Sequence, residues 1–311
     1  MARLIFMGTP QFAVPTLLAL HAQHHVAGVV TQPDRRAGRG RKLVMSPVKE
    51  AALAQDLPVF QPETLREPEA VQQLDAWQPD VIVVAAFGQI LRKPVLDMAP
   101  HGCLNVHASL LPRYRGAAPI PAAILAGDSV TGATIMGLDE GMDTGPILAQ
   151  AECPIAPDDT TGLLVAKLAG LGAQLLVETL PCWLAGKIQA WPQDDALATY
   201  CRPLKKGDGH LDWARSAVYL DRQVRATDPW PGAYTLWQGQ RLKVLRAQPH
   251  SERPGVERPG VVIPLEPSGL GVATGKGTLE LLQVQLAGKK PMGASIFARG
   301  QHGLLGGLLG P

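Results

Sequence analysis

Residues 81–87 read VIVVAAF, an apolar and largely β-branched run without the polar alternation of a half-buried strand. Such a run is typical of a strand buried on both faces, as in a parallel sheet with helices on each side. The runs RLIFMG (3–8) and VAGVVTQ (26–32) have the same character, and PTLLALHAQ (15–23) between them has helical spacing. The sequence therefore predicts an α/β domain with a Rossmann-like, mostly parallel sheet.

Further elements continue this alternation along the first half of the chain. Ser46-Pro47 has the residues of a helix N-cap followed by proline at the first helical position. TGATIMGLD (131–139) and GPILAQAECPI (145–155) predict a hairpin-like pair of strands, and residues 160–186 predict a long helix.

The composition changes near residue 188. The segment QAWPQDDALATYCRPLKKGDG mixes polar and apolar residues without a regular period and is interrupted by prolines, as linkers are. Short β-like runs between Gly and Pro clusters follow, and they predict a small, OB-like β-barrel. We therefore predict a catalytic domain at 1–187, a linker at 188–204 and a barrel domain at 205–311. The ending GQHGLLGGLLGP predicts a poorly ordered tail.

Charge is unevenly distributed along the chain, although its net value is only +2. Residues 202–311 hold fifteen Lys and Arg against eight Asp and Glu, a net charge of +7, whereas residues 1–201 carry −5. Within that acidic part, DRRAGRGRKLVMSPVK (34–49) carries +5. The pattern favours a polyanionic partner contacted by this basic segment and by the C-terminal part.

Several classes of protein are disfavoured. The apolar runs are too short for a secretory leader or a bilayer span. The four cysteines form no CxxC pair and the eight histidines no HExxH motif, so we expect a reducing cytoplasm and no metal. GxGxxG and GxxxxGK[ST] are absent, which disfavours dinucleotide and P-loop nucleotide binding.

Two polar residues end another apolar run in GCLNVHASLLPRYRG (102–116). In a strand, Asn105 and His107 share one face and lie roughly 7 Å apart, close enough to flank one reacting atom. Polar residues at strand ends more often satisfy local backbone groups or solvent. The pair is thus a candidate site at the carboxyl edge of the sheet, where open α/β folds bind ligands.

A carboxylate partner is expected in GLDEGMDTGPI (137–147). Asp143 lies between two glycines on a predicted tight turn, where simple turn chemistry is the more frequent role of Asp. Asp139 and Glu140 are rival carboxylates, and spacing alone does not choose among the three. Asn, His and Asp without a nucleophilic Ser or Cys suit direct acyl transfer, because an amide stabilises an oxyanion and an imidazole moves the proton of an attacking amine.

GCLNVHASLLPRYRGAAPI resembles the signature of the formyltransferases that use 10-formyltetrahydrofolate. IFMGTPQFA, VVTQPDRRAGRGRKL, GLDEGMDTGPIL and DPWPGAY extend the resemblance over roughly residues 3–298, and the basic segment and C-terminal part are similar to the branch that formylates initiator methionyl-tRNA. By this resemblance Asn105 would donate to the formyl oxygen, His107 would move protons, and Asp143 would orient His107.

The resemblance also implies the residues that contact the two substrates. Those expected to bind the folate co-substrate are Ser109, Leu110, Leu111 and Pro112, with Phe87, Gly88 and Ile90. Those expected to bind the tRNA acceptor end are Arg35, Arg36, Arg39, Arg41 and Lys42. We expect a monomer with no membrane partner.

Three other functions remain open at this point. A sister enzyme could formylate a small amine, a hydrolase could release formate, and a non-catalytic RNA-binding module could use the OB-like domain and its positive charge. A binding module would have no need of Asn105, His107 and Asp143 together.

Overall fold

The computed structural model describes residues 1–37, 42–250 and 257–310. Its strands are β1 (Arg3–Gly8), β2 (His25–Val30), β3 (Arg35–Ala37), β4 (Lys42–Val44), β5 (Val59–Phe60), β6 (Val81–Ala85), β7 (Cys103–His107), β8 (Arg115–Gly116), β9 (Val130–Gly137), β10 (Ile147–Pro154), β11 (Tyr200–Cys201), β12 (Tyr234–Trp237), β13 (Gln240–His250), β14 (Val262–Leu265), β15 (Gly269–Ala273), β16 (Thr278–Leu286) and β17 (Met292–Gly293). Its α-helices are α1 (Val14–Gln23), α2 (Pro47–Leu53), α3 (Pro68–Asp75), α4 (Lys93–Leu96), α5 (Pro119–Ala126), α6 (Thr161–Leu184), α7 (Ala217–Ala226) and α8 (Ala294–Arg299).

The chain forms two compact units. The first contains Met1–Pro119, Val130–Pro154 and Val165–Cys201, and the second contains Ile120–Ser129, Ile155–Leu164 and Arg202–Pro311. The predicted domain boundaries stay a prediction. Part of the segment predicted as a linker belongs to the first unit, because β11 pairs with β8 and Trp191 pairs with Ile147.

The sheet of the first unit has the strand order β10-β9-β7-β6-β1-β2-β5 within the described residues. β1 pairs in parallel with β2 and β6, and β6 pairs in parallel with β7. The antiparallel strands are β9 and β10, which form the predicted hairpin-like pair. The mostly parallel sheet is thereby confirmed. Its strand order reverses between β1 and β6, and ligands bind beyond the carboxyl ends of strands at such a reversal.

The helices of this unit follow from local sequence. The Oγ of Ser46 accepts a hydrogen bond from the Lys49 N–H at 3.1 Å, and Pro47 begins α2, as predicted. α6 confirms the long predicted helix, and Gly172 on it lies so close to β7 that a Cβ there would be 2.6 Å from Val106 Cγ1. Val106 points away from Asn105 and therefore packs the back of the candidate strand. α6 has the length and composition of a membrane-spanning helix, but its Leu168, Leu176 and Leu180 are buried in the protein.

The second unit contains an antiparallel sheet of order β12-β13-β16-β15-β14, with β17 on β16. The predicted β-like runs are confirmed as its strands, which curl around one apolar core. The sequence pattern did not predict α7, which Ser216 caps through a 3.2 Å bond from Tyr219 N–H, and which buries Leu220 and Val224. The curled sheet with its packed interior is the predicted small barrel domain.

The prediction of a poorly ordered tail was wrong. Leu304 and Leu309 are buried in the core of the second unit. The tail backbone bonds to both edge strands, because Val262 N–H donates to Gly307 O at 2.9 Å and Gly310 N–H donates to Leu236 O at 3.1 Å. The tail therefore lies between β14 and β12 and satisfies edges that would otherwise expose unpaired backbone groups.

Replacing Leu309 by alanine is expected to destabilise the second unit by about 2–5 kcal/mol, since Leu309 is 2% exposed and its removal leaves a cavity. The neighbouring Leu308 is 45% exposed, so Leu308→Ala is the matched control and should change stability by about 0.5 kcal/mol or less. Denaturant unfolding of both variants measures the difference. Equal effects would show that the tail does not belong to the core.

Candidate active site

Asn105 and His107 lie at the end of β7, at the carboxyl edge of the sheet. Both are buried, Asn105 being 8% and His107 6% exposed. Asn105 pairs with Val84 of β6 on one side, and His107 pairs with Thr134 of β9 on the other. The alternation of a strand places their side chains on one face, as predicted from the sequence.

His107 has a defined orientation. Its Nε2 lies 3.0 Å from the Tyr114 carbonyl oxygen, and its Nδ1 lies 3.7 Å from Asp143 Oδ2. Because a carbonyl oxygen only accepts hydrogen bonds, Nε2 carries the proton that it donates to Tyr114. Nδ1 is then the nitrogen that can take up a proton, and the carboxylate beside it stabilises the resulting imidazolium.

The structure distinguishes among the three rival carboxylates by position. Asp143 has the left-handed φ of 55°, and its Oδ2 accepts the Gly116 N–H at 2.8 Å while it faces His107. Asp139 instead closes its own loop, accepting from Gly141 N–H at 3.0 Å and from the Thr144 hydroxyl at 2.7 Å. Glu140 is exposed. Asp143 is thus the carboxylate brought to the imidazole.

The Asn105 amide has no hydrogen-bond partner among the described residues, although its side chain is largely buried. Its amide atoms are not among the fully buried polar atoms that lack a partner, so the amide is open to solvent or to a ligand. The amide is free to donate to a carbonyl oxygen placed beside His107.

The SLLP turn (109–112) is held rigidly behind the strand. The Thr134 hydroxyl donates to Ser109 O at 2.6 Å and accepts from Leu111 N–H at 3.2 Å. Ser109 Oγ donates to Arg113 O at 2.7 Å, so its hydroxyl is already used. Leu111 is buried with Met136 in a small apolar cluster. Leu110 and Pro112 are only partly buried, which leaves them as the apolar surface of this turn.

The AFGQIL loop (86–91) lies at the strand reversal. Phe87 is buried in the core, and its carbonyl accepts from Thr9 Oγ1 at 2.8 Å and from Gln32 Nε2 at 3.4 Å. Gly88 has φ 88° and is exposed, and Ile90 is 76% exposed. The Phe87 side chain therefore packs the core, while Gly88 and Ile90 reach the surface.

A cavity of about 490 Å³ opens beside the loop that carries the carboxylates. The sequence pattern did not predict it, because its walls come from two elements 40 residues apart. It is lined by Lys93, Leu96, Asp97, Leu138, Asp139, Glu140 and Gly141.

Neither cysteine near the site is a nucleophile. Burial raises the pKa of the Cys103 thiol on β7 to about 12. Burial also raises the pKa of the Cys201 thiol, and the charge of Asp143 adds to the shift, although a backbone hydrogen bond from Ala118 opposes it. Because the thiolate is the reactive form, these shifts disfavour either thiol as a nucleophile.

The basic segment contains a hairpin that the sequence pattern indicated only as a loop. β3 pairs antiparallel with β4. At its base, the Lys49 ammonium lies 2.6 Å from Asp34 Oδ2. The predicted Arg35 and Arg36 are exposed on β3. Lys42 begins β4, but its side chain lies outside the described part, as do all of Arg39 and Arg41.

Sequence reasoning also missed Arg115 and Gln193, which lie next to the His–Asp pair. Arg115 stands in the quoted PRYRG stretch, where the pattern indicates only a basic turn. It is 1% exposed, and its guanidinium donates to Gln193 Oε1 and to Asp195 Oδ1. No local signal marks such an interaction, since 78 residues separate Arg115 from Gln193.

Comparison with known proteins gives consistent relatives for the whole chain. Residues 2–180 match the family described as formyl transferase, and residues 203–302 match its C-terminal domain. The chain is 52% identical over 302 residues to a protein named methionyl-tRNA formyltransferase from Chloroflexus aurantiacus, covering 96% of this chain and 97% of that protein. It is 49% identical over 310 residues to the protein of the same name from Hydrogenovibrio crunogenus, covering 99% of this chain and 98% of that protein.

Solved structures share the fold at low sequence identity. The sugar 3N-formyltransferase WlaRD, crystallised with dTDP and 5-N-formyl-THF, has a TM-score of 0.67 at 17% identity, covering 93% of this chain and 99% of that chain. HypX from Aquifex aeolicus, in complex with tetrahydrofolic acid, has a TM-score of 0.63 at 17% identity, covering 99% of this chain and 48% of that chain.

Proposed function

The chain belongs to the formyl transferase family, and from this premise we propose that it transfers a formyl group from 10-formyltetrahydrofolate to the free amino group of initiator methionyl-tRNA. One observation carries the choice of acceptor. The similarity to proteins named methionyl-tRNA formyltransferase is about half identity over 96–99% of this chain, a span that includes both the site and the basic C-terminal part.

Each member of the site has one role. The co-substrate supplies an N-formyl carbonyl that an amine can attack. The free Asn105 amide donates to the formyl oxygen as negative charge develops there. His107 takes up or relays the proton that the attacking amine loses, and Asp143 holds the ring and supports its positive charge. In this proposal the formyl group passes directly to the amine, and the raised pKa values of Cys103 and Cys201 disfavour either as a covalent carrier.

The partly buried Leu110 and Pro112 and the exposed Gly88 and Ile90 are the predicted folate residues best placed to contact a bound ligand. Ser109, Leu111 and Phe87 would act by holding the two loops in place, because their side chains are buried in the protein.

The basic segment 34–49 and the C-terminal part would contact the tRNA. Arg35 and Arg36 are exposed and available to phosphates. A salt bridge between Lys49 and Asp34 fixes the base of the hairpin. We further propose that the protein acts as a cytoplasmic monomer, without a metal or a membrane, and that a linker at 188–204 joins a catalytic domain at 1–187 to a barrel domain at 205–311.

Neutralising Arg39, Arg41 and Lys42 together with Gln is expected to weaken binding of charged tRNA and to flatten its salt dependence. Each phosphate that these side chains no longer neutralise should lower the slope of log affinity against log salt by roughly 0.7–0.9. Filter binding across a salt series measures the slope. Affinity for the folate should be unchanged, since the segment leaves the end of another strand.

The matched control removes three exposed charges elsewhere on the first unit, at Arg66, Arg92 and Lys187. This control should move affinity and slope much less. If both triple variants behaved alike, the basic segment would be a solvated loop and its role in tRNA binding would be wrong.

The acceptor is tested by offering 10-formyltetrahydrofolate together with methionyl-tRNA, an amino-sugar nucleotide or water alone. We expect formylation of methionyl-tRNA at a kcat/KM at least about 10³-fold above that of the small amine, because tRNA contacts supply binding energy that the small amine lacks. Efficient formylation of the small amine, or release of formate without an acceptor, would replace the proposal with the corresponding alternative.

A further inference from the structure

We propose that Arg115 and Gln193 are positioning residues, which together hold His107 and Asp143 in their working geometry. This inference rests on the proposed function for the reaction in which the geometry is used. Its structural basis lies in the first unit alone.

The segment 114–116 contacts both members of the pair. The Tyr114 carbonyl accepts from His107 Nε2 at 3.0 Å, and the Gly116 N–H donates to Asp143 Oδ2 at 2.8 Å. Arg115 is the residue between these two contacts. A shift of this short strand would therefore move the imidazole and the carboxylate at once.

The Arg115 side chain fixes that segment through four hydrogen bonds. Its guanidinium donates through Nε at 3.0 Å and through Nη2 at 2.9 Å to Gln193 Oε1. Nη2 also donates to Asp195 Oδ1 at 2.7 Å, and Nη1 donates to the Tyr200 hydroxyl at 3.2 Å. Arg115 is only 1% exposed, and removing the partners of a buried charge is strongly destabilising.

Gln193 connects this guanidinium to the carboxylate loop. Its Oε1 faces Arg115, while its Nε2 donates to the Asp143 carbonyl at 2.9 Å and to the Gly145 carbonyl at 2.7 Å. One side chain thus bridges β8, next to which the Tyr114 carbonyl accepts from His107, to the turn that carries Asp143. Asp143 has a left-handed φ of 55°, which a non-glycine residue keeps only when its surroundings enforce it.

The contacts of Arg115 and Gln193 maintain the spacing between His107 and Asp143, which the pair does not maintain by itself. The 3.7 Å between His107 Nδ1 and Asp143 Oδ2 is too long for a strong hydrogen bond, so the pair does not hold itself together. Its spacing is set by the backbone on either side, and Arg115 and Gln193 join those two stretches of backbone. Because misplacement of reacting groups by 1 Å can cost about 10²-fold in rate, this support matters to the reaction.

The sharpest variant is Gln193→Glu, which keeps an acceptor for Arg115 but removes both N–H donors to the loop of Asp143. We expect kcat for methionyl-tRNA formylation to fall by about 10- to 100-fold, with KM for both substrates within about threefold of wild type. Gln73→Glu on the exposed side of α3 makes the same chemical change away from the site and should leave kcat unchanged. Arg115→Lys keeps the positive charge but not the planar guanidinium with its several N–H donors. Its kcat should lie between those of wild type and Arg115→Met.

A second readout does not depend on turnover. The His107 ring nitrogens, labelled with ¹⁵N, report by NMR which nitrogen holds the proton and at what pH the ring titrates. In Gln193→Glu we expect the His107 titration to shift relative to wild type, with a melting temperature within a few degrees of it. Gln73→Glu should match wild type in both.

An unchanged His107 titration together with wild-type kcat in Gln193→Glu would overturn the inference. So would a loss of activity that only follows a lower melting temperature, with the His107 titration unchanged, since that is the pattern of a merely structural residue. If the wild-type protein formylated no acceptor, the proposed function would fail, while the NMR comparison would still decide whether Gln193 positions the pair.

Discussion

Alanine at His107 is expected to lower kcat for formyl transfer by about 10²- to 10⁴-fold, because it removes the imidazole that we propose takes up or relays the proton of the attacking amine. Alanine at Asn105 should lower kcat by about 10²- to 10³-fold through loss of the donor to the developing oxyanion. Steady-state kinetics with methionyl-tRNA measure both. Neither variant removes a large apolar side chain, so thermal unfolding should stay close to that of wild type.

His302→Ala is the control for the histidine change, since His302 is exposed on the second unit. It should leave kcat unchanged. Retention of more than a tenth of wild-type kcat by both Asn105→Ala and His107→Ala would place the chemistry elsewhere in the molecule.

Asp143→Asn is expected to be about as damaging as loss of His107, at roughly 10²- to 10⁴-fold in kcat. The asparagine still offers an oxygen to the Gly116 N–H, so the turn should survive while the charge beside His107 is lost. Asp139→Asn is the matched control, because its remaining oxygen can still accept from Gly141 N–H and the Thr144 hydroxyl. We expect this control to stay within a few-fold of wild type.

The opposite result for these two variants would contradict the assignment of Asp143 as the carboxylate that serves the reaction. If Asp143→Asn kept near-full activity while Asp139→Asn abolished it, the carboxylate that serves the reaction would be Asp139. Circular dichroism and melting temperature of both variants separate a loss of charge from a loss of the loop.

Much of the first unit could be predicted because its signals are local. The uninterrupted apolar run at 81–87 predicted β6, and the period of two in β7 placed Asn105 and His107 on one face. The choice of carboxylate could not be made from sequence, since Asp139, Glu140 and Asp143 lie within five residues in one loop. The three-dimensional contacts separate them, because Asp143 accepts from Gly116 N–H and faces His107, whereas Asp139 accepts from its own loop.

The tail shows why composition can mislead a prediction of order. Repeated Gly and Leu lack the periodicity of a helix or strand, so the pattern indicated disorder. Leu304 and Leu309 become buried because β12 and β14 leave edges and an open core beside them, and those strands are distant from the tail in sequence. Arg115 was missed for the same reason, since its acceptor Gln193 lies in a segment with the composition of a linker.

The predictions of folate-contacting residues were partly determined by local sequence and partly by tertiary packing. The resemblance pointed to two loops at the strand ends, but it could not tell which side chains those loops expose. Phe87, Ser109 and Leu111 are buried, and Ile90 is exposed, because tertiary packing rather than local pattern decides the direction of a loop side chain.

The central claim is that the site at the end of β7 moves a formyl group directly from 10-formyltetrahydrofolate to the amine of methionyl-tRNA. It is tested most directly by single-turnover transfer of a [¹⁴C]formyl label with wild-type protein and His107→Ala in parallel. We predict that the label reaches the amino group of tRNA-bound methionine, at least about 10²-fold more slowly in the variant, and never becomes covalently attached to the protein. Label bound to the protein, or equal rates in the two proteins, would contradict the account.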